Sequence, residues 1–305
     1  MSTSKYEHKV TAEEVGLTIN QILKQNFKFS ARFKTKIKYQ KLIDLNGHLA
    51  PGYIKPIAGD IISVRLPEET SDFPPEDIPL DIIYEDDDII VVNKQPGIIV
   101  HPTKGHPYHT IANGITKYMA DSGQSFKVRF ANRIDMDTSG IIIIAKNSNA
   151  QNDLSSQMRR STVVKKYIAL VEGDVCEDHF EIDLPVGRPG QVSIQRAVMD
   201  VSDGGKEALS EVKVLKRFQS EDKGDHTLVE VTLHTGRTHQ IRVHLSAIGH
   251  PIAGDALYGG GTELISRQAL HAYYIEFDHP HTKERVSFKT EYPEDIKELI
   301  NKLNS

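Results

Sequence analysis

The 305-residue sequence contains little cysteine, few aromatic residues and no long apolar run. Its one cysteine, Cys176, excludes an internal disulfide framework and any multi-cysteine metal cluster. No apolar run exceeds five residues, as at 141–145, whereas about 20 are needed to span a bilayer. The first ten residues have no apolar segment after their charges, so we expect no secretory signal. These absences predict a soluble, cytoplasmic protein without membrane contact.

The net charge of −5 argues at first against a polyanionic partner. Its distribution along the chain reverses that impression. Residues 1–70 carry eleven Lys/Arg against seven Asp/Glu, whereas residues 71–100 carry one against eight. A basic N-terminal part inside an acidic total is a hint of contact with nucleic acid.

Residues 24–41 carry most of this basic charge and contain no acidic side chain. Phe27, Phe29, Phe33 and Tyr39 are interleaved with the cations. Cations in such a run neutralise phosphates and give salt-dependent binding. The alternative is a solvated helix face whose aromatic side chains belong to a core. We interpret the run as an RNA- or DNA-binding surface, with contacts from Lys24, Lys28, Arg32, Lys34, Lys36, Lys38 and Lys41.

Apolar spacing and turn residues predict two domains joined by a linker. Residues 1–67 show helical spacing, then an Asn46-Gly47 hairpin turn, and they predict two helices followed by a small antiparallel sheet. Residues 68–80 are acidic and proline-containing, and we expect them to bury too little surface to become ordered. Residues 81–305 combine strands with irregularly interspersed helices, which predicts an α+β body.

The body contains nine segments with a clear strand or helix pattern. Strands are predicted at 89–92, 141–145, 167–172, 211–215, 227–233 and 273–277. Helices are predicted at 110–119, 149–160 and 238–248. Thr238 is the predicted N-cap of the last helix, and Gly249 lies just beyond its end.

Neither of two clusters with metal-binding residue types has the spacing that a metal site needs. The acidic run at 85–88 lacks the alternating acidic positions of a calcium-binding loop and instead predicts a polar turn. His234, His239 and His244 are five residues apart, which separates them on a helix or a strand. We therefore predict no metal.

Two polar segments carry the residues best suited to chemistry. Residues 132–140 place an arginine, two carboxylates and two hydroxyls directly before an apolar strand. Residues 235–244 place Arg237, His239 and Arg242 at a helix start, where anions are favoured. Each segment alone also fits an ordinary polar turn or a surface helix.

Five segments in order resemble the RluA-type RNA pseudouridine synthases. They are YEDDDIIVVNKQPGIIVHP (84–102), NRIDMDTSGIIIIAKN (132–147), KKYIALVEG (165–173), LHTGRTHQIRVHLSAIGHPIAGDALYG (233–259) and RQALHAYYIEFDHP (267–280). The resemblance covers roughly residues 80–295. It implies a catalytic body with a mixed, mostly antiparallel sheet at 81–305. Residues 1–67 resemble, more loosely, the small S4-type α+β domain that binds RNA.

The resemblance also implies roles for individual side chains. Carried over residue by residue, the family's catalytic positions are Asp135, Tyr167 and Arg242. The substrate-binding side chains are Arg133 from the same motif and, from the cationic helix start, Arg237 and His239. The family usually has histidine where this sequence has Asn132, so any contact made by that histidine is in question.

The implied reaction isomerises uridine within RNA. The N1–C1′ bond breaks, the uracil rotates and a C5–C1′ bond forms, without a cofactor. Asp135 would either attack the sugar or remove a sugar proton, and Arg242 would favour its charged form. Tyr167 would stack on the base and is a candidate to take the C5 proton, directly or through water.

The expected partner is RNA, with 23S ribosomal RNA as the substrate and tRNA as an alternative. The target uridine would be flipped out of its helix, and we expect the enzyme to be a monomer. One rival interpretation is a non-catalytic RNA-binding or ribosome-assembly protein on the same fold. Another is a nucleoside hydrolase or glycosidase, which would need Asp137 as its second carboxylate.

Overall fold

The computed structural model describes residues 5–27, 29, 31–66, 69–103, 105–190 and 193–304, with only the backbone of Lys5 and Arg32. The elements of the N-terminal part are β1 Lys5–Lys9, α1 Ile19–Asn26, α2 Ala31–Tyr39, β2 Ile43–Leu45, β3 His48–Leu49 and β4 Ile61–Arg65. The four strands form an antiparallel sheet in the order β1-β4-β2-β3. The expectation of two helices followed by a sheet was wrong about β1, which precedes the helices and pairs with β4.

The predicted hairpin joins β2 to β3. Asn46 and Gly47 have φ values of 53° and 83°, and Leu45 pairs directly with His48. A two-residue loop with positive φ at both positions matches the twist of the flanking strands, which explains the Asn-Gly sequence.

The N-terminal part has an apolar cluster of its own, built from both helices and the sheet. Phe29 and Phe33 are buried in it, and Phe27 packs against it. The core interpretation of these aromatic side chains is therefore confirmed for the three phenylalanines. Tyr39, in contrast, is 82% exposed at the end of α2. It is the one aromatic side chain of the basic run that is available to a partner.

Residues 69–80 contain no helix or strand, but they are held against the body. Asn113 donates a hydrogen bond to the carbonyl of Pro74, and the side chain of Ile78 lies directly over Gly114. Leu80 packs against an apolar cluster of the body that includes Ile111 and Ile115. The segment is therefore ordered by contacts with the body, which its composition did not predict. The domain boundaries at 67 and 80 stay predictions.

Residues 81–304 contain a ten-stranded sheet and four helices within the described part of the chain. The elements are β5 Asp81–Glu85, β6 Ile89–Lys94, α3 Ile111–Ser122, β7 Arg129–Phe130, β8 Ser139–Ala145, α4 Ser148–Arg159, β9 Val164–Glu172, β10 His179–Asp183, β11 Val186–Gly187, β12 Ala197–Val198, β13 Leu209–Phe218, β14 His226–Leu233, α5 Gln240–Ala247, β15 Leu270–Asp278, β16 Arg285–Lys289 and α6 Glu294–Asn304. Each predicted strand and helix of the body overlaps one of these.

The large sheet runs in the order β10-β13-β14-β9-β15-β8-β6-β5, with β16 beside β15 and β7 beside β8. All of its pairs are antiparallel except β8 with β15. The predicted α+β class with a mixed, mostly antiparallel sheet is confirmed. No helix of the described residues is long and apolar enough to cross a membrane.

The parallel contact of β8 with β15 depends on Gly140. Every residue of β8 is buried, as the apolar run at 141–145 predicted. Gly140 has a φ of 113°, and a Cβ atom there would lie 2.2 Å from the carbonyl oxygen of Ala272. Only glycine allows the two backbones to approach so closely. The loop before β8 is thereby placed beside the start of β15.

The N-terminal sheet contacts the body through Tyr6 of β1. The Tyr6 hydroxyl donates a hydrogen bond to Asp88 over 3.4 Å and accepts one from Asn149 over 3.0 Å. Its ring stacks on His281, with the ring centroids 4.9 Å apart. Asp88 is only 3% exposed, so this polar junction is buried.

Candidate active site

The loop at 132–138 carries Asp135, and Asn132 attaches this loop to β8. The Asn132 side chain donates to the carbonyl of Ile141 over 3.0 Å and accepts from the amide of Ile143 over 2.8 Å. These are the two hydrogen bonds that a neighbouring strand would make. Asn132, which stands where the family that the sequence resembles usually has histidine, therefore fixes where the loop begins.

Lys94, at the end of β6, holds the middle of the same loop. It is 1% exposed, and its ammonium group donates to the carbonyls of Met136, Gln95 and Ile98 over 2.7–2.9 Å. Burial lowers the pKa of Lys94 to about 7, although the charge of Asp137 opposes the shift. Lys94 was not predicted as a site residue, because a buried lysine cannot be distinguished from a surface lysine by its sequence pattern.

Arg267 fixes the far end of the loop. Its guanidinium donates to the carbonyl of Asp137 over 2.9 Å and is held by two hydrogen bonds to Asp295, of 2.6 and 2.8 Å. With Asn132 and Lys94, this makes three side chains that restrain the loop backbone on both sides of Asp135. A carboxylate on a restrained loop keeps its direction without help from the substrate.

Asp135 and Arg242 form an ion pair, although they lie 107 positions apart in the sequence. Arg242 on α5 donates to Oδ2 of Asp135 over 3.1 Å. Its other donors bind both oxygens of Asp255, over 2.6 and 2.7 Å. Burial acts to lower the pKa of Arg242, but the hydrogen bonds with Asp255 outweigh it and the net shift is upward. Arg242 is therefore permanently charged and fixed in orientation by Asp255.

Asp255 was missed as a site residue, although it lies inside one of the segments that carried the resemblance. It is 1% exposed, and within the described residues its side-chain partner is the guanidinium of Arg242. A buried aspartate 13 residues after an arginine gives no signal of pairing in sequence alone. Its contact depends on the path of the chain after α5.

Oδ1 of Asp135 accepts no hydrogen bond from any residue that the structure describes. The recorded side-chain contacts of Asp135, with Arg242 and His239, are both at Oδ2. The Asp135 side chain is 27% exposed. One carboxylate oxygen is thus held by the protein, and the other is available to a bound molecule.

His239 directly precedes α5, for which Thr238 was the predicted N-cap. That prediction was wrong: the cap position is His239, in a left-handed conformation with a φ of 58°. This backbone turn directs the imidazole towards the site, where Nδ1 lies 2.8 Å from the Tyr258 hydroxyl and Nε2 lies 3.9 Å from Oδ2 of Asp135. Burial lowers the pKa of His239, despite the nearby charge of Asp135. The ring is therefore neutral near pH 7.

Tyr167 lies on β9 and forms the third part of the predicted catalytic set. It is 8% exposed. Burial, together with the negative charge of Asp135, raises the pKa of Tyr167 above its usual value. Asp135 is near enough for its charge to contribute to this shift. The Tyr167 hydroxyl is therefore protonated at neutral pH.

A sequence profile of the family described as RNA pseudouridylate synthase matches residues 88–247, which contain Asp135, Tyr167 and Arg242. The chain belongs to this family of RNA pseudouridine synthases. It is 44% identical to RNA pseudouridine synthase YlyB of Bacillus subtilis over 264 residues, 85% of this chain and 84% of that protein. Ribosomal large subunit pseudouridine synthase D of Pseudomonas aeruginosa is 35% identical over 311 residues, 97% of this chain and 94% of that protein.

A solved structure, the human RNA pseudouridylate synthase domain containing 1, matches with a TM-score of 0.59 and 25% identity. It covers 76% of this chain, which in turn covers 97% of that structure. The predicted membership of the RluA-type synthases is confirmed, and the chain is an enzyme of this class.

Neither predicted substrate-binding arginine of the synthase, Arg133 or Arg237, forms an ion pair with Asp135 among the residues that the structure describes. Arg133 is exposed and lines a cleft that Phe33 and Lys36 of the N-terminal part also line. Arg237 is exposed and donates to the carbonyl of Glu207 over 2.9 Å. Lys165 lies beside Arg237, and burial together with this neighbouring charge lowers the pKa of Lys165 to about 8.

The acidic and histidine clusters of the synthase make hydrogen bonds within the protein. Asp86 accepts from the amides of Asp88 and Ile89, as expected of a polar turn before β6. His234 pairs with Glu211, and His244 contacts Ser210 and the carbonyl of Leu184. Across the described ranges, no group of three His, Cys, Asp or Glu side chains is arranged to hold a metal ion.

The basic run of the N-terminal part is mostly exposed to solvent. Lys24, Lys34, Lys38 and Lys41 are exposed. Lys36 is half-buried and forms an ion pair with Glu69 over 2.9 Å. Lys28 and the side chain of Arg32 lie outside the described residues.

Proposed function

We propose that this synthase isomerises specific uridines of structured RNA to pseudouridine, with Asp135 as the catalytic carboxylate. The observation that supports this most is the 3.1 Å contact between Asp135 and a guanidinium that Asp255 fixes. The charge of Asp135 also contributes to the raised pKa of the buried Tyr167. Relatives named ribosomal large subunit pseudouridine synthase D support 23S ribosomal RNA as the substrate. Transfer RNA is the alternative, and the enzyme acts as a monomer in the cytoplasm.

Asp135 acts on the ribose of the target nucleotide through Oδ1, the oxygen that no described residue occupies. It either attacks C1′ or removes a sugar proton to give a glycal, and in both routes the N1–C1′ bond breaks. The uracil then turns and bonds to C1′ through C5. This step breaks the Asp135–C1′ bond in the first route, whereas in the second route Asp135 returns the proton to the sugar. Arg242 keeps the carboxylate ionised and aimed, because its own position is fixed by Asp255.

Tyr167 packs against the uracil and participates in loss of the C5 proton. Its raised pKa keeps the hydroxyl protonated at neutral pH. Such a hydroxyl can accept the C5 proton only if it passes its own proton to water or another acceptor at the same time. The proton-relay form of this role therefore fits the site better than a role as a free phenolate base. The proton balance is complete when N1 of the turned uracil regains a proton.

The target uridine enters this partly buried site after leaving its own helix. Flipping a nucleotide costs a few kcal/mol, and phosphate contacts elsewhere on the enzyme offset that cost. The basic N-terminal domain, which we propose to be S4-like, supplies such contacts without reading sequence. Deleting residues 1–67 should weaken RNA binding and change site choice, while the chemistry of Asp135 remains. Unaltered affinity and site profile would contradict this role.

The central test is mapping of pseudouridine in total RNA from cells that lack the protein. Wild-type protein should restore the missing sites, and Asp135→Asn should restore none of them. Asp137→Asn is the matched control, because it makes the same change two residues away, where the loop is held through its backbone carbonyl. Restoration by Asp135→Asn would overturn the catalytic assignment.

Product analysis separates the remaining alternatives. An isomer of unchanged mass identifies the synthase reaction, and release of free uracil identifies a hydrolase. A bound but unaltered RNA identifies a non-catalytic binding protein on the same fold.

A further inference from the structure

A cleft of about 780 Å³ lies between helix α2 and the body, on the side of the loop from which Arg133 projects. We call it the interdomain cleft. Lys36 lines it from the N-terminal domain, and Lys127, Arg129 and Arg133 line it from the body. Glu69 is its one acidic lining residue among those that the structure describes. Four cations facing one carboxylate make the cleft electropositive, although the whole chain has a charge of −5.

Two of the four cations are available to a ligand. Lys127 and Arg133 are exposed, and neither side chain makes a hydrogen bond or ion pair with a described residue. Arg133 is two residues before Asp135 on the loop that Asn132 fixes to β8. The cleft is therefore adjacent to the catalytic loop and is separate from the Asp135–Arg242 pair.

The other two cations are neutralised by Glu69. Lys36 donates to one oxygen of its carboxylate over 2.9 Å, and Arg129 donates to the other. Burial acts to raise the pKa of Glu69, but these two cations outweigh it and the net shift is downward. The Glu69 carboxylate thus links Lys36 of the N-terminal domain to Arg129 of the body. Two oxygens of a phosphate group could occupy the same position between these cations.

We propose that the interdomain cleft binds the phosphodiester backbone of the RNA strand that flanks the target uridine, and that Glu69 competes with phosphate for Lys36 and Arg129. Phosphate groups contact Lys127 and Arg133 and displace Glu69 from the other two cations. The strand is thereby held by both domains at once and is directed along the loop towards Asp135. This inference rests on the proposed function, because it takes RNA as the substrate.

The test measures the dissociation constant of transcribed 23S ribosomal RNA as a function of KCl concentration. Lys127→Ala should weaken binding about fivefold, the scale of one exposed charge-assisted contact. It should also reduce the slope of log K against log salt by about one. Glu69→Gln should have the opposite effect and tighten binding, because phosphate no longer competes with a carboxylate. Lys213→Ala, an exposed lysine of β13 outside the cleft, is the matched control and should change neither quantity.

Wild-type affinity and salt slope in Lys127→Ala would overturn the phosphate site. Weaker binding in Lys127→Ala with no change in Glu69→Gln would retain the site and overturn the competing role of Glu69. A thermal unfolding curve of Glu69→Gln confirms that the variant is folded. Because the measured quantity is the affinity for RNA and not the rate of turnover, the result does not depend on isomerase activity. RNA that binds through the cleft but is not converted would refute the proposed function alone.

Discussion

Replacing Arg242 with methionine should damage the protein in two separable ways. The first is a loss of stability, because Asp255 is 1% exposed and would lose both hydrogen bonds to the guanidinium, of 2.6 and 2.7 Å. Removing one partner of a buried ion pair leaves an uncompensated charge and costs about 3–5 kcal/mol. Asp135 contributes less to this loss, because its side chain is 27% exposed and retains contact with water.

The second effect is on the reaction, and a double variant isolates it. Arg242→Met combined with Asp255→Leu removes both charges, and replacing a buried pair with apolar side chains is often neutral or stabilising. We therefore expect the double variant to recover most of the lost unfolding free energy. Its activity should stay about 10²–10³-fold below wild type, the range for removal of one preorganised donor.

Two assays give the answer. Guanidinium chloride unfolding of the wild type, both single variants and the double variant forms a double-mutant cycle for Arg242 and Asp255. Release of tritium from RNA labelled at C5 of uridine measures turnover in the same proteins. If Arg242→Met had the same free energy of unfolding as the wild type, the loss of the guanidinium would not leave an unpaired buried charge on Asp255. Wild-type turnover in the double variant would show that Arg242 contributes only to stability.

Three further predictions concern other residues of the site and the sheet. Tyr167→Phe should abolish tritium release from C5 and leave RNA affinity unchanged, because the ring remains and only the hydroxyl is lost; retained tritium release would refute the relay. Burial lowers the pKa of the His271 imidazole from 6.5 to about 4. As the pH falls, the unfolded chain therefore takes up this proton at a higher pH than the native state does. The free energy of unfolding should therefore have its full value above pH 6.5 and fall by about 3 kcal/mol as the pH drops to 4. Urea midpoints measure this fall, which should be shallower in His271→Gln. Gly140→Ala should unfold at a markedly lower temperature, because its Cβ atom would meet the carbonyl of Ala272 at 2.2 Å, and an unchanged melting temperature would contradict that contact.

Local patterns were enough to locate the elements that form the centre of the body. The five apolar residues at 141–145 predicted a strand covered on both faces, and β8 is buried along its whole length. The Asn46-Gly47 pair predicted a hairpin because both residues tolerate positive φ, and both adopt it. In each case the residues that determine the structure are neighbours in sequence.

Features that depend on distant contacts were not predictable in the same way. Strand β1, with the sequence KYEHK, has a single apolar residue. Its partner strand, β4, lies more than fifty residues further along the chain. The ion pair of Asp135 with Arg242 spans 107 positions, and only the family resemblance linked the two residues. Lys94 and Asp255 are charged, and charged residues are expected at the surface unless a partner buries them. Their partners become apparent only after the chain has folded.

The contact of Tyr6 with Asp88, Asn149 and His281 has a consequence for any attempt to use the body as an isolated domain. Cutting the chain after the N-terminal sheet would uncover one face of a histidine ring and return a sheltered aspartate and asparagine to water. The shortened protein would thus differ from the parent at a surface patch beside α4 as well as in length. Introducing Tyr6→Phe into the intact chain is the gentler way to loosen this attachment, since the stacked ring remains while both hydrogen bonds disappear.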